Sequence, residues 1–149
     1  MTTTARNPWK SYRQIATQTA PPGQLVLMLY DGAIRFLELA RAGFASADPA
    51  ERNLTINNNL QRALEIVREL NLCLNTEAGG ELAQTLRDLY GYMEGRLLES
   101  NLKKHRGGVD EVAGHLKELR DAWAAMLASQ GQPPPAEPEV WVSPEWRTA

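Results

Sequence analysis

Residues 24–40 read QLVLMLYDGAIRFLELA, and this stretch decides the fold. Because an α-helix turns by about 100° per residue, its polar side chains fall on one narrow stripe, made of Gln24, Asp31, Arg35 and Glu38. Apolar side chains cover most of the remaining circumference, including Met28 beside the polar stripe. A helix at the corner of a bundle needs an apolar arc of little more than about 100°. The stretch therefore predicts a helix with roughly twice the apolar surface that one corner buries.

Two interpretations of this surplus stay open. In the first, the helix is the most central one of its fold and is covered by its own N-terminal segment. In the second, part of the surface is a groove that accepts an apolar helix or an extended segment of a partner. The preceding segment carries Trp9, Tyr12 and Ile15 three residues apart, which gives one or two helical turns an apolar edge. Because such a piece is too short to be stable alone, we expect it to act as a removable cover.

Three further segments show helical periodicity, and almost no stretch alternates with the period of two that a strand needs. Asp48 and Pro49 predict a capped helix start, while Gly79-Gly80 and Gly107-Gly108 are predicted breaks before the last two helices. The four predicted helices span residues 22–45, 49–75, 81–104 and 109–129. Because short connections make successive helices antiparallel neighbours, the predicted fold class is all-α, an antiparallel four-helix bundle.

The apolar stripes of the last three helices are typical of a bundle core. The last helix spaces its apolar residues by three and four, as in a coiled-coil seam. The predicted core residues are Ile56, Leu60, Ala63, Leu64, Val67, Leu70 and Leu74, then Leu82, Leu86, Leu89, Tyr90, Met93 and Leu97, then Val109, Val112, Leu116, Leu119, Trp123 and Met126. Asn71 lies at the margin of its stripe, where we expect a buried hydrogen bond that fixes helix register.

The chain divides into three parts by composition. Residues 1–20 form a short N-terminal helical cap segment, residues 21–129 the bundle, and residues 130–149 a tail with five prolines and no helical period. Prolines at this density predict a flexible or polyproline-like extension. Two interpretations of Trp141 and Trp146 in this tail stay open: they dock onto a partner or back onto the bundle, or they are incidental aromatics of an unstructured terminus.

Charge and hydropathy exclude several classes of partner. The net charge of −2 does not supply the concentrated basic face that a nucleic acid or an anionic membrane requires. The short basic run at residues 103–106 falls at a helix end, where cations complement the helix dipole. No apolar run approaches the ~20 residues that cross a bilayer, so we expect no membrane insertion. Together with the single cysteine, Cys73, these features predict a soluble cytoplasmic protein.

The sequence shows no pattern typical of an active site. His105 and His115 have no further ligand at metal-binding spacing, and no glycine-rich loop leads into a phosphate-binding lysine. Asp31 falls on the polar stripe of the first helix, which favours a surface role over a catalytic one. We therefore expect a binding protein rather than an enzyme, with no catalytic residues, no metal site and no cofactor.

Five blocks of the sequence resemble the FliS family of flagellar secretion chaperones in their order and spacing. The most specific is QLVLMLYDGAI at residues 24–34, which resembles the family's first-helix signature. The others are Glu69-Leu70-Asn71 with Leu74, residues 89–93, residues 96–101 and residues 119–123. The resemblance runs from about Trp9 to Met126. The chain departs from the family at Pro21-Pro22, which replaces the usual Ser-Pro helix start, and in the proline-rich tail.

The resemblance implies a protein that binds the disordered C-terminal region of flagellin, prevents premature polymerisation and presents this cargo to the gate of the flagellar type III export apparatus. In the family, an N-terminal aromatic segment covers an apolar pocket and moves when flagellin binds. The predicted partner-binding residues are Trp9, Tyr12, Ile15, Leu25, Met28 and Leu29. The alternative is a helical-bundle homodimer that acts as a structural or regulatory interaction protein.

Overall fold

The computed structural model describes residues 22–74 and 76–131, which form four α-helices and no strand. The helices are α1 (Pro22–Gly43), α2 (Pro49–Leu72), α3 (Thr76–Lys103) and α4 (Gly107–Ser129). Each helix packs against its neighbours in the chain, and α4 closes the ring against α1. The predicted all-α, antiparallel four-helix bundle is confirmed. The predicted cap segment at residues 1–20 and the tail from residue 132 onward lie outside the described residues.

The start of α2 follows from two residues. The Asp48 side chain accepts a hydrogen bond from the backbone N–H of Ala50 at 3.2 Å, and Pro49 follows it as the first residue of the helix. The proline ring fixes the backbone angle that this position needs, and the carboxylate satisfies a donor that has no partner within the helix. Both predictions for this turn are confirmed.

The two glycine pairs have different roles. Gly80 has φ 57° and ψ −132°, so it separates the first turn of α3 from the main helix that begins at Glu81, as predicted. The prediction of a break at Gly107-Gly108 is wrong, because both glycines belong to α4. In the connection between α3 and α4, the residue with a left-handed backbone is instead Lys104, whose φ is 52°.

Gly108 is needed because α4 begins against the backbone of α3. It is buried, and a Cβ atom at this position would overlap the Ser100 hydroxyl and lie 2.9 Å from the Arg96 carbonyl oxygen. Beside this contact, Lys104 Nζ donates a hydrogen bond to the Asn101 carbonyl oxygen at 2.5 Å. A cation thus caps the last turn of α3, as the helix dipole favours.

The core surrounds α1, whose side chains are buried over most of its circumference. Leu27, Leu29, Phe36 and Leu37 are each at most 1% exposed. The predicted stripes of the other helices are largely confirmed, and their buried members are Ile56, Leu60, Ala63, Leu64, Val67, Leu70, Tyr90, Met93, Leu97, Val109, Val112 and Leu116. Partly buried side chains that pack against this core include Leu74, Leu86, Leu89, Leu119 and Trp123.

The prediction that Leu82 of α3 belongs to the core is wrong. Leu82 is 68% exposed, and its neighbour Ala83 is buried instead. Ala83, Leu86, Tyr90 and Met93 follow one another at intervals of three, four and three, which sets the side of α3 that faces the core. Because one residue turns the helix by about 100°, Leu82 points away from that side.

The predicted register bond of Asn71 is also wrong. Its side-chain Oδ1 is buried without a hydrogen-bond partner in the part of the chain that the structure describes. The asparagine contact between helices lies instead at the other end of α2, where Asn101 Nδ2 donates to Asn57 Oδ1 at 2.8 Å. Asn59, the buried asparagine of α2, donates within its own helix to the Thr55 carbonyl oxygen at 2.9 Å.

Candidate functional site

Three of the six predicted partner-binding residues lie on the first turns of α1. Leu25 is partly buried and packs against the core, as does its neighbour Val26. Met28 is 6% exposed and Leu29 is fully buried, so both side chains belong to the core. The side of this turn that a partner reaches directly is therefore the one with Leu25 and Val26. Outside the described residues lie the other three predicted contacts, Trp9, Tyr12 and Ile15.

Trp123 of α4 lies beside this first turn of α1. Its indole Nε1 donates a hydrogen bond to the Gly23 carbonyl oxygen at 2.8 Å, and its partly exposed side chain packs against the core. The indole therefore lies at the start of α1 on the side of Gly23, whereas Leu25, two residues farther on, points to the opposite side of the helix. Leu119, one turn earlier in α4, is also partly exposed. We name the partly exposed apolar side chains that these two helices pack against the core, Leu25, Val26, Leu119 and Trp123, the α1–α4 apolar edge.

The helical spacing predicts that Leu119 and Trp123 belong to the core, whereas the structure places both at its edge. Spacing by three and four identifies the side of a helix that faces the core, but it does not show where along the helix the core ends. The available signal was the indole N–H itself, because a tryptophan usually sits where its apolar ring is covered and its N–H finds a partner.

The polar stripe of α1 forms the contact with α4, whereas the sequence predicted a solvent face. Arg120 Nε lies 2.8 Å from Asp31 Oδ1, and Lys117 Nζ lies 2.7 Å from a Glu38 carboxylate oxygen. The hydrogen bond from Lys117 holds the pKa of the Glu38 carboxyl below its ordinary value. Because ion pairs at the surface contribute only about 0.2–1 kcal/mol each, these contacts mainly set how α4 lies along α1.

A second polar network joins α3 to α4. Glu111 accepts hydrogen bonds from the Tyr92 hydroxyl at 2.6 Å and from Arg96 Nε at 2.8 Å, and these bonds lower the pKa of its carboxyl. Arg96 also binds Glu99 at 2.8 Å, and Lys103 binds Glu99 at 3.1 Å. A hollow beside this network is lined by Arg96, Glu99, Ser100, Lys103 and His105, and its Arg96 and Lys103 cations are already paired with carboxylates. Its role is structural, and we assign it no ligand.

A further apolar surface lies on the side of α3 that faces away from the core. Leu98 is 48% exposed and Leu102 is 85% exposed. Gly91 and Gly95 lie on the same side, because the intervals from 91 to 102 are four, three and four. A glycine inside a helix costs about 0.5–1 kcal/mol relative to alanine. The sequence pattern does not predict this surface, because glycines add nothing to an apolar stripe.

The described part of the chain shows no arrangement for metal chemistry. Within residues 22–74 and 76–131, no group of three or more His, Cys, Asp or Glu side chains is placed to hold a metal ion. None of the four helices is both long and apolar enough to cross a membrane. We take the α1–α4 apolar edge as the candidate functional site, because it contains Leu25, a predicted contact whose side chain is partly exposed.

Comparison with known proteins decides the family. The family model described as "Flagellar protein FliS" matches residues 5–130, a range that contains all four helices and the segment with Trp9, Tyr12 and Ile15. The chain belongs to the FliS family. The resemblance seen in the sequence blocks is thus confirmed, and the FliS match ends before most of the proline-rich tail.

FliS relatives cover most of the chain. The flagellar secretion chaperone FliS of Bacillus subtilis is 37% identical over 125 residues, which is 84% of this chain and 90% of the relative. The corresponding chaperone of Salmonella typhimurium is 36% identical over 119 residues, covering 76% and 85%. That of Escherichia coli is 34% identical over 125 residues, covering 80% and 89%. The names of these FliS relatives describe chaperones and not enzymes, in agreement with the predicted class of protein.

Proposed function

We propose that this FliS protein is a cytoplasmic export chaperone that binds the disordered C-terminal region of flagellin. In this role it prevents premature polymerisation of flagellin and aids delivery to the flagellar type III export apparatus. The observation that carries the proposal is the FliS match over residues 5–130, with relatives that are named flagellar secretion chaperones. The partly exposed α1–α4 apolar edge supports it, because such an edge favours contact with the apolar side chains of a partner.

Binding requires no chemical step. The flagellin segment is disordered when free, and it becomes ordered as its apolar side chains leave water at the start of α1. The cost of this ordering offsets part of the free energy of burial, which keeps the complex releasable at the export gate. Leu25 is the first contact in this proposal, because its side chain is partly exposed at the surface.

The N-terminal segment controls access in the same proposal. Trp9, Tyr12 and Ile15 compete with flagellin for the surface at the start of α1. Met28 and Leu29 become contacts only after neighbouring groups move, because so little of either side chain is exposed. A partner displaces the segment when it buries a larger apolar area than the segment does. The segment thereby excludes weakly apolar partners.

Polymerisation of purified flagellin, followed by light scattering after filament seeds are added, tests the proposal. An equimolar amount of this protein is expected to suppress the increase in scattering. Unchanged polymerisation in the presence of the folded protein contradicts the proposal. The specificity control is flagellin that lacks its C-terminal segment, because the protein should not associate with this truncated form.

A further inference from the structure

The side of α3 that faces away from the core leaves an apolar strip uncovered in the described residues. Gly91, Gly95, Leu98 and Leu102 follow one another along this strip over three turns of helix. A Cβ atom placed at either glycine would meet nothing within 4 Å. The backbone is therefore open at one end of the strip, and leucine side chains project at the other.

The strip continues onto α2. Asn101 of α3 donates a hydrogen bond to Asn57 of α2 at 2.8 Å, which holds the two helices together beside Leu98 and Leu102. Leu54 lies one turn before Asn57 on the same side of α2 and is 62% exposed. We name Gly91, Gly95, Leu98, Leu102 and Leu54 the α2–α3 outer face.

We propose that the tail, residues 132–149, binds the α2–α3 outer face of its own chain. In this arrangement Trp141 lies on the open backbone at Gly91 and Gly95, and Trp146 lies beside Leu102 and Leu54. A flat indole fits a surface without side chains, and the exposed leucines cover its edges. The tail lies beyond the FliS match, so this proposal does not rest on flagellin binding.

The length of the tail supports this occupant. Glu111 lies level with α3 residues 92–96, because its carboxylate binds Tyr92 and Arg96. From Glu111, the chain continues for twenty residues to Gly131, two residues past the end of α4, which is about 30 Å away from that level. A polyproline-like chain rises about 3.1 Å per residue, so the ten residues from Gly131 to Trp141 cover about 31 Å. A tail that runs back along α3 therefore brings Trp141 level with Gly95.

The same geometry places the second tryptophan. Trp146 follows Trp141 by five residues, which adds about 16 Å and reaches the end of α3 that carries Leu102. To run back along α3, the chain must reverse its direction after α4. Gly131 allows this reversal, because its φ of 79° is a left-handed backbone angle that is typical of the residue after a helix end. Five prolines in the tail favour the extended form that this reach needs.

Nuclear magnetic resonance of the full ¹⁵N-labelled chain tests the proposal through the indole N–H signals. The signals of Trp141 and Trp146 are assigned from Trp→Phe variants and compared with those of a free peptide of residues 132–149. The test variant is Gly91→Gln/Gly95→Gln, which fills the open backbone. The matched control is Gly114→Gln on α4, a helical glycine whose surroundings are equally open.

The expected result is a Trp141 signal that differs from the free peptide in the wild-type chain and in Gly114→Gln. In Gly91→Gln/Gly95→Gln this difference should disappear, and Leu102→Gln should remove the corresponding difference for Trp146. All these variants are expected to fold, since glutamine favours a helix over glycine and Leu102 is 85% exposed. Far-ultraviolet circular dichroism verifies this.

Three results overturn the proposal. The first is a wild-type Trp141 signal that coincides with that of the free peptide. The second is a molar mass by light scattering that falls twofold in Gly91→Gln/Gly95→Gln, with unchanged indole signals, because the occupant is then a second copy. The third is a weaker affinity of that variant for the flagellin C-terminal segment with unchanged indole signals, because the occupant is then the cargo.

Discussion

The hydroxyl groups of Tyr30 and Tyr90 lie 2.5 Å apart, and one donates a hydrogen bond to the other across the core. Tyr30 belongs to α1 and Tyr90 to α3, helices that face each other across the ring of four. Both side chains are at most 3% exposed. Burial raises the pKa of both phenols, so each stays neutral at physiological pH. The pair fixes how these two helices lie along one another, because a buried hydroxyl needs its partner.

Tyr90→Phe is expected to destabilise the protein by about 1–3 kcal/mol, because it leaves the Tyr30 hydroxyl buried without this partner. Replacing both tyrosines by phenylalanine should cost less than the sum of the two single replacements. The free energies of unfolding in urea for the wild type, both single variants and the double variant measure this difference. Additive costs would show that the two hydroxyls do not depend on each other.

The same pair predicts a dependence on alkaline pH. A phenol whose pKa is raised in the folded state contributes stability that is complete below its ordinary pKa of 10.0 and is lost as the pH rises above it. We expect Tyr30 and Tyr90 to stay neutral above pH 10.0 until the protein unfolds. Phenolate absorbance measures this, and the part that is delayed until unfolding should disappear in Tyr30→Phe/Tyr90→Phe. Tyr92 should still ionise late in that variant, because its hydrogen bond to Glu111 raises the pKa of its phenol. Ionisation of Tyr30 and Tyr90 near pH 10.0 in the folded state contradicts the expectation.

Gly108→Ala is expected to destabilise the protein by about 1–3 kcal/mol, because the added methyl group overlaps Ser100 and crowds the Arg96 carbonyl. The control is Gly114→Ala in the same helix, where a methyl group meets nothing within 4 Å. Without a clash, that substitution should stabilise the protein by about 0.5–1 kcal/mol through helix propensity. Thermal or urea unfolding measures both changes. Equal effects of the two substitutions would show that α4 does not need glycine at its contact with α3.

Leu25→Gln is expected to weaken binding of the flagellin C-terminal segment about tenfold, which corresponds to a loss of about 1.4 kcal/mol of apolar contact. The matched control is Leu39→Gln, because Leu39 is 36% exposed and lies about 21 Å farther along the same helix. Calorimetric titration of both variants gives the two affinities. If Leu39→Gln weakens binding as much as Leu25→Gln, the α1–α4 apolar edge is not the contact.

Local signals in the sequence predicted most of the bundle. Asp48 and Pro49 define the start of α2 through a side-chain hydrogen bond and a fixed backbone angle, both of which act within one turn. The spacing of three and four identified the core sides of α2 and α4, because burial of one side repeats with the helical period. Leu82 was misplaced since Leu82 and Ala83 are both apolar, and only packing against the other helices decides which of two neighbours is buried.

The contacts between helices could not be predicted from the sequence pattern. The polar stripe with Asp31 has the same pattern whether it faces water or Arg120, and only the position of α4 decides between them. A Gly-Gly pair is typical of a break between helices, yet Gly108 lies within α4 and lets this helix approach the backbone of α3 closely. At the candidate site, Leu25 is predicted as a contact because the apolar arc of α1 is wider than one bundle corner needs. Trp123 was not recognised there, because its hydrogen bond to Gly23 joins residues that are far apart in sequence.

The most direct test of the central claim is a calorimetric titration of the flagellin C-terminal segment into the full-length protein. The account predicts one-to-one binding with a dissociation constant in the micromolar range or below. It also predicts a negative change in heat capacity, because apolar surface leaves water on binding. The contradicting result is the absence of binding at micromolar concentrations by a protein whose circular dichroism shows the helical fold.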